Sequence, residues 1–437
     1  MTPLKPRDIY DPIYGYIHLD EQEDDILGDP AVQRLRRIRH LGLTNLVYPG
    51  AEHTRFAHSL GVVHVVTKLA EALGLKEEVK MLRIAALLHD VGHYPLSHCL
   101  ETLMEEYDKE AKHEKFAKEV INKTDLGSKI EKLKINVKDL TDLFNGAYKG
   151  ENAAILNNLI SSELDADRID YLMRDSYNTG IAYGRFDFER ILNTLKIGHI
   201  NGEPRICLKA KAKFAAENYL VARLHMYEAV YIHKNVGAFR IMLNELYKKL
   251  VEKKALPDFE KIKEMLSKGR FYCFDDNYVL SKIMTHEFSE PHYKRLQEML
   301  VNRTSLKLVQ EAAKPHKSSE GTPEWNALKY IYNDLEAFCK KYGLLPNVVF
   351  LDIPSIKASH LSPFLSIAEL RGVDTSEYSP AIFMEDDKGE LTPLVGDKTS
   401  LAHYLDNFNL DLIRIYTFEE EMQKVHAAIE KEIELHQ

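Results

Sequence analysis

Residues 81–98 read MLRIAALLHDVGHYPLSH. An apolar run, Leu82, Ile84, Ala85, Ala86, Leu87 and Leu88, leads straight into His89-Asp90, after which Gly92 breaks it and His93 and His98 follow. An apolar helix of this kind is a buried one, and a buried charge such as Asp90 is costly unless it is paired or bound to a metal. Imidazole beside a carboxylate is a ligand pair suited to Zn, Mn, Fe or Ni. Taken alone, a His-Asp dipeptide more often marks a helix end with a glycine stop and solvated residues beyond it. The rest of the chain decides between these readings.

A length of 437 residues exceeds one ordinary domain, and 45% hydrophobic with 29% charged residues is the composition of a soluble globular protein with a sizeable core. The formal charge of -9 argues against non-specific coating of nucleic acid, so no duplex binding is expected. Cys99, Cys207, Cys273 and Cys339 are widely spaced with no CxxC pair, which suggests reduced thiols in a cytoplasmic protein. MTPLKPRDIYDP has no apolar signal core and no apolar run reaches spanning length, so no membrane partner is expected.

Residues 7–19, RDIYDPIYGYIHL, predict a short hairpin. From Pro30, AVQRLRRIRHLGL predicts a helix with Val32, Leu35 and Ile38 inward, stopped by Gly42. Its other face, with Gln33 and several arginines, suits solvent or a phosphate. Residues 54–73 predict a second helix, with His58 among Phe56, Leu60, Val62 and Val63, where a lone histidine is more often core than ligand. Two short helices over 95–106 and 110–122 carry Glu101, His113 and Glu114, and the lysine-rich stretch 123–138 reads as a surface excursion.

Residues 161–175, SSELDADRIDYLMRD, predict a helix capped at Ser162 or Asp165. Arg168, Tyr171 and Asp175 share one face at i, i+3 and i+7, with Asp167 at its border. That face is either exposed and salt-bridged or fit for a polar ligand. A hairpin around Asn201-Gly202 follows, then one long helix over 210–252 bearing Arg223, Tyr227, Tyr231 and Lys234, with helices continuing to about residue 313. The expected fold is mostly α: a helical body with short hairpins over 1–313, a linker KPHKSSEGTP at 314–323, and a small C-terminal α+β module over 324–437.

His58, His89, Asp90 and Asp167 are thus candidates for one metal site. Two histidines and two carboxylates leave coordination positions open for water and a phosphate oxygen, which distinguishes a catalytic from a structural site. Their order resembles that of the HD-domain phosphohydrolases. The stretches PAVQRLRRIRHLG, VYPGAEHTRFAHSLGV, LLHDVGHYPLSH, LDADRIDYLMRD and YIHKNVG are similar, in order, to the deoxynucleoside triphosphate triphosphohydrolases, a family that includes the vertebrate SAM-and-HD-domain enzyme and bacterial dNTPases. The likeness covers about residues 5–240, and no SAM domain is visible.

The resemblance implies a helical HD-domain core, a divalent metal ion (Mn, Fe, Mg, Zn or Ni) on those four ligands, a dNTP substrate, and a homo-oligomer. Carried over by position, Arg55, Arg168, Arg223 and Lys234 contact phosphate, and His93 and His98 reach the α-phosphate region. Tyr171, Asp175 and Tyr231 hold sugar and base, Leu41 lies against the sugar C2′ face, and His113 is the acid at the leaving oxygen, polarised by Glu101 or Glu114. Two positions depart from the vertebrate pattern: His40 stands for a glutamine at the sugar hydroxyl, and Ile232 for a glutamine near the base. In the nucleotide-activation site Gln33 and Arg36 match and Arg7 replaces a lysine, while the expected aspartate falls on Gly28, with Asp29 one position on. Hydrolysis of another nucleotide (a monophosphate, a cyclic nucleotide or ppGpp) and a non-catalytic nucleotide sensor are the alternatives. The positive charges beyond the ligands favour a triphosphate, and the intact ligands with His113 disfavour a sensor.

Overall fold

The computed structural model describes residues 7–314, 321–357, 382–405 and 409–436. It is mostly α-helical and resolves into two compact units that interleave along the chain. The first takes the described residues of 1–226, 257–279 and 360–406, and the second those of 227–256, 280–359 and 407–437. Neither unit coincides with a division at 314–323. Most of that predicted linker lies outside the described residues.

In the first unit, strands Arg7–Asp11 and Gly15–Leu19 pair as an antiparallel hairpin. The helix Arg55–Leu73 starts on the Thr54 side chain, which accepts the Ala57 N–H, and stops at Gly74 in the left-handed conformation. Phe56, Leu60, Val62, Val63, Val65, Val66 and Leu69 bury most of its circumference, as befits the centre of a helical body. Helices Val79–Leu88 and Ala166–Thr179 both pack on it. The first delivers His89-Asp90 at its C-terminus, and the second carries Asp167 in its first turn, capped by Asp165. Helices His98–Tyr107 and His113–Lys123 follow the His-Asp loop.

Strands Leu195–Ile200 and Glu203–Lys209 form the expected second hairpin, with Asn201 and Gly202 both at positive φ as a type I′ turn requires. This hairpin is extended by Phe383–Glu385, parallel to Glu203–Lys209, and then by Leu391–Pro393. In the second unit, Asn409–Thr417 is the middle strand, antiparallel to Lys307–Ala313 on one side and to Val349–Asp352 on the other. Helices Lys234–Glu252 and Pro291–Val301 pack together there, as do Pro323–Asn333 and Met422–Glu434.

Four local expectations are corrected. The helix from Pro30 ends at Arg34, passes through a 3-10 turn at Leu35–Arg37, and is extended by Ile38. The side chain of Arg34 explains this: it turns into the core, where it donates to the carbonyls of Phe274 and His93. The helix over 210–252 is broken by a π-turn at Tyr227–Tyr231 and restarts at Lys234, capped by the His233 ring. Lys307–Ala313 is a strand because a neighbouring strand completes its hydrogen bonds. The lysine-rich stretch 123–138 contains one short helix, Leu126–Lys132, and runs into a second, Val137–Phe144, each with an apolar side buried.

Candidate metal centre and active site

His58, His89, Asp90 and Asp167 converge in the first unit. The His58 Nε2 lies 2.9 Å from Asp167 Oδ1 and 3.9 Å from Asp90 Oδ2. The His89 Nε2 lies 3.4 Å from Asp90 Oδ1 and 3.9 Å from Asp167 Oδ1. Both Nε2 atoms are buried and, among the described residues, neither has a well-aligned hydrogen bond. Their Nδ1 atoms are occupied: that of His58 bonds Asp170 at 2.7 Å and that of His89 bonds the Ala86 carbonyl at 2.8 Å. Carbonyl and carboxylate oxygens only accept, so each Nδ1 carries a proton and each Nε2 can offer a lone pair. Two such lone pairs facing two carboxylates fit a divalent cation, and HD domains bind such ions.

The charges agree with this geometry. Burial alone would raise Asp90, yet Arg55, His89 and His93 hold it well below the usual carboxylate range. Burial pulls the His58 imidazole down, but the carboxylates of Asp167 and Asp170 outweigh it and raise the group to about 10 in the metal-free chain.

Beside this centre stands a second group. Glu101 Oε1 is 2.5 Å from His113 Nδ1, and Glu101 Oε2 is 2.6 Å from His98 Nδ1. Glu114 is further from His113 Nδ1, at 3.4 Å. The His113 ring stacks on His93 at 3.7 Å. Burial lowers His113, but the charge of Glu101 more than reverses this and leaves it raised. Burial and Arg55 hold His93 well below its usual 6.5. Ligand atoms of His93, His98, Glu101 and His113 lie within 4.8 Å of one another. The stacked rings, however, aim their lone pairs along parallel planes, which suits proton transfer better than chelation. Gly92 sets the spacing: a Cβ there would stand 2.2 Å from the His113 carbonyl oxygen and 2.5 Å from the Ala117 nitrogen.

Arg55 is buried and donates to Asp90 Oδ2 and Ser97 Oγ, each at 2.9 Å. Arg168 bonds Asp165 at 3.1 Å, Arg223 pairs with buried Glu163, and the two cations are close enough to interact. Asp175 is buried, 2.7 Å from His53 Nε2 and 3.9 Å from His40 Nε2. The His40 ring in turn lies 4.3 Å from that of His58. Tyr171 and Leu41 are half-buried nearby in sequence. Tyr231 and Lys234 belong to the second unit, the first in the π-turn and the second exposed in the opening turn of Lys234–Glu252.

Arg36 donates to Gln33 at 2.9 Å and lies over the Phe56 ring, while Arg7 is 3.0 Å from buried Asp24. Asp29 caps the helix Pro30–Arg34 through the Ala31 N–H, and its other oxygen lies 3.5 Å from Lys129 Nζ. Sequence reasoning missed Asp170, Arg174, Asp11, His53, Ser97 and Glu163. Only Asp170 left a signal, at i+3 from Asp167 on the same helix.

Residues 55–175 match the HD domain and residues 186–382 the HD associated region. An uncharacterized protein of Methanocaldococcus jannaschii is 38% identical over 280 residues, covering 63% of this chain and 57% of that protein. The human deoxynucleoside triphosphate triphosphohydrolase SAMHD1 is 26% identical over 380 residues, covering 79% of this chain and 60% of that protein. The chain therefore spans little more than half the length of these relatives. A solved structure of a hypothetical protein from Aquifex aeolicus superposes with a TM-score of 0.73 at 26% identity, over 97% of this chain and 100% of that one.

Proposed function

The chain is an HD-domain protein of the phosphohydrolase group, and on that premise we propose that it hydrolyses deoxynucleoside triphosphates to deoxynucleoside and inorganic triphosphate. The observation that carries this reading is the Glu101–His113 couple standing, through the stacked His93 ring, beside the cluster of His58, His89, Asp90 and Asp167. A divalent cation on His58, His89, Asp90 and Asp167 would supply positive charge at the α-phosphate and lower the pKa of an attacking water. Arg168 and Arg223, held by Asp165 and Glu163, are oriented cations for phosphate oxygens.

His113 protonates the departing 5′ oxygen from its Nε2, since Glu101 occupies its Nδ1. His93 and His98 border the same space, joined to His113 through ring contacts. Asp175, Tyr171, His40 and Leu41 receive the sugar. The Arg7–Gln33–Arg36 group is the candidate for an activating nucleotide, and assembly into a homo-oligomer belongs to the same account.

A second reading, cleavage of a different nucleotide at the same centre, is favoured by His40. Beside His58 and Asp175 it gives the sugar region a neutral imidazole, since burial and Arg55 hold it well below 6.5. The test is incubation of Mn²⁺-loaded protein with each dNTP and NTP, singly and in pairs, with identification of products. Triphosphate from dNTPs supports the first reading, and turnover of ribonucleotides or monophosphates alone supports the second.

A further inference from the structure

The ligand His58 is not held by its own helix alone. Its Nδ1 donates to Asp170 Oδ2 at 2.7 Å, and both side chains are fully buried. Arg174, one turn on from Asp170, donates from Nε to Oδ2 at 2.8 Å and from Nη2 to Oδ1 at 3.0 Å. Its remaining terminal nitrogen, Nη1, donates to Asp11 Oδ2 at 2.9 Å. Asp11 ends the first strand of the N-terminal hairpin, and its other oxygen accepts the N–H groups of Ile13 and Tyr14 at 2.9 and 3.1 Å. A continuous run of hydrogen bonds, buried from Asp11 inward, therefore joins the hairpin turn to His58.

The helix Arg55–Leu73 is shaped to admit this run. At Gly61, one turn after His58, a Cβ would stand 1.9 Å from Asp170 Oδ1 and 2.3 Å from Arg174 Nη2. Tyr14, from the hairpin turn, is half-buried with its hydroxyl against the same charges, and its ring stacks on His64 at 4.6 Å.

We propose that Asp170 is the positioning residue for the metal ligand His58, and that Asp11 completes this support through Arg174, so that the docked N-terminal hairpin is part of the metal centre. The chemistry is that of an outer-shell carboxylate. Asp170 fixes the proton on His58 Nδ1 and keeps the Nε2 lone pair aimed at the cation. Arg174 fixes Asp170 with a planar two-point fork, and Asp11 orients the fork from its far side. The proposal rests on the metal-site reading and not on the substrate.

The test is a Mn²⁺ titration of the full chain without nucleotide, followed by electron paramagnetic resonance and compared among parent, Asp170→Asn and Asp11→Asn. Circular dichroism melts accompany each variant. Asp170→Asn should weaken Mn²⁺ binding by ~10–100-fold, the range for removal of an outer-shell partner, with an altered Mn²⁺ spectrum. Asp11→Asn should shift affinity in the same direction by a smaller factor while the chain stays folded. Should Asp170→Asn fail to fold, Asp11→Asn decides alone. Parent affinity and spectrum in a folded Asp170→Asn overturn the role of Asp170, and parent affinity in Asp11→Asn overturns that of the hairpin. A parent that binds Mn²⁺ but cleaves no dNTP would remove the substrate reading and leave this one standing.

Discussion

His113 Nδ1 lies 2.5 Å from Glu101 Oε1, and the same oxygen accepts the His113 backbone N–H at 2.9 Å. One carboxylate thus fixes both the ring and the start of its helix, and its second oxygen holds His98. Proton donation to an alkoxide leaving group contributes typically ~10²–10⁴-fold in rate. His113→Ala should therefore keep Mn²⁺ and dNTP affinity while lowering turnover by at least ~10²-fold. Turnover equal to the parent would assign the proton to another group.

The pH profile follows from the same pair. His113 is raised above its usual 6.5 because the Glu101 charge outweighs burial, so the acid form persists to higher pH than in a free imidazole and is lost as pH rises through the raised value. Glu101→Gln removes the charge and leaves the burial, so the descending limb of the rate profile should move to lower pH. A limb that does not move would separate Glu101 from the titration of the acid.

The four ligands should act as one. Alanine at His58, His89, Asp90 or Asp167 should lower metal content and turnover together, and a chelator should reproduce the loss in the parent. Full metal content in Asp167→Ala would remove the helix Ala166–Thr179 from the centre.

Gly92 has a packing role that a methyl group tests. Its Cβ would meet backbone atoms of His113 and Ala117, which cannot swing aside as a side chain can. Gly92→Ala should cost about 1–3 kcal/mol of stability, the scale for overpacking, and should lower turnover more than Mn²⁺ affinity. Melting temperature and turnover both unchanged would mean that the two segments separate freely.

His53 holds Asp175 at 2.7 Å. Losing one hydrogen bond of ~1 kcal/mol corresponds to roughly fivefold in binding, so His53→Ala should raise KM for a dNTP by that factor with little change in kcat. A reversed split would move Asp175 from sugar binding to the chemical step.

His58, His89, Asp90 and Asp167, which the fold brings close together, stand out in the sequence as candidates because each sits in a short pattern: an apolar helix running into His89-Asp90, a histidine in an apolar helix, and an aspartate after a cap. The support around it could not. Asp170 and Arg174 look in sequence like members of an exposed, salt-bridged face, and only the packing of their helix on Gly61 buries them. Arg34 misled in the same way, since an arginine among arginines suggests solvent until its carbonyl partners at Phe274 and His93 are seen. The strand at Lys307–Ala313 depends on Asn409–Thr417, roughly a hundred residues away in sequence, and no local period encodes that pairing.

The bond that breaks tests the proposed reaction most directly. Hydrolysis of a dNTP in oxygen-18 water by the Mn²⁺-loaded protein should give unlabelled deoxynucleoside and triphosphate carrying the label, because water attacks the α-phosphorus and His113 protonates the departing 5′ oxygen. Pyrophosphate with a labelled deoxynucleoside monophosphate, or release of single phosphate, would contradict it.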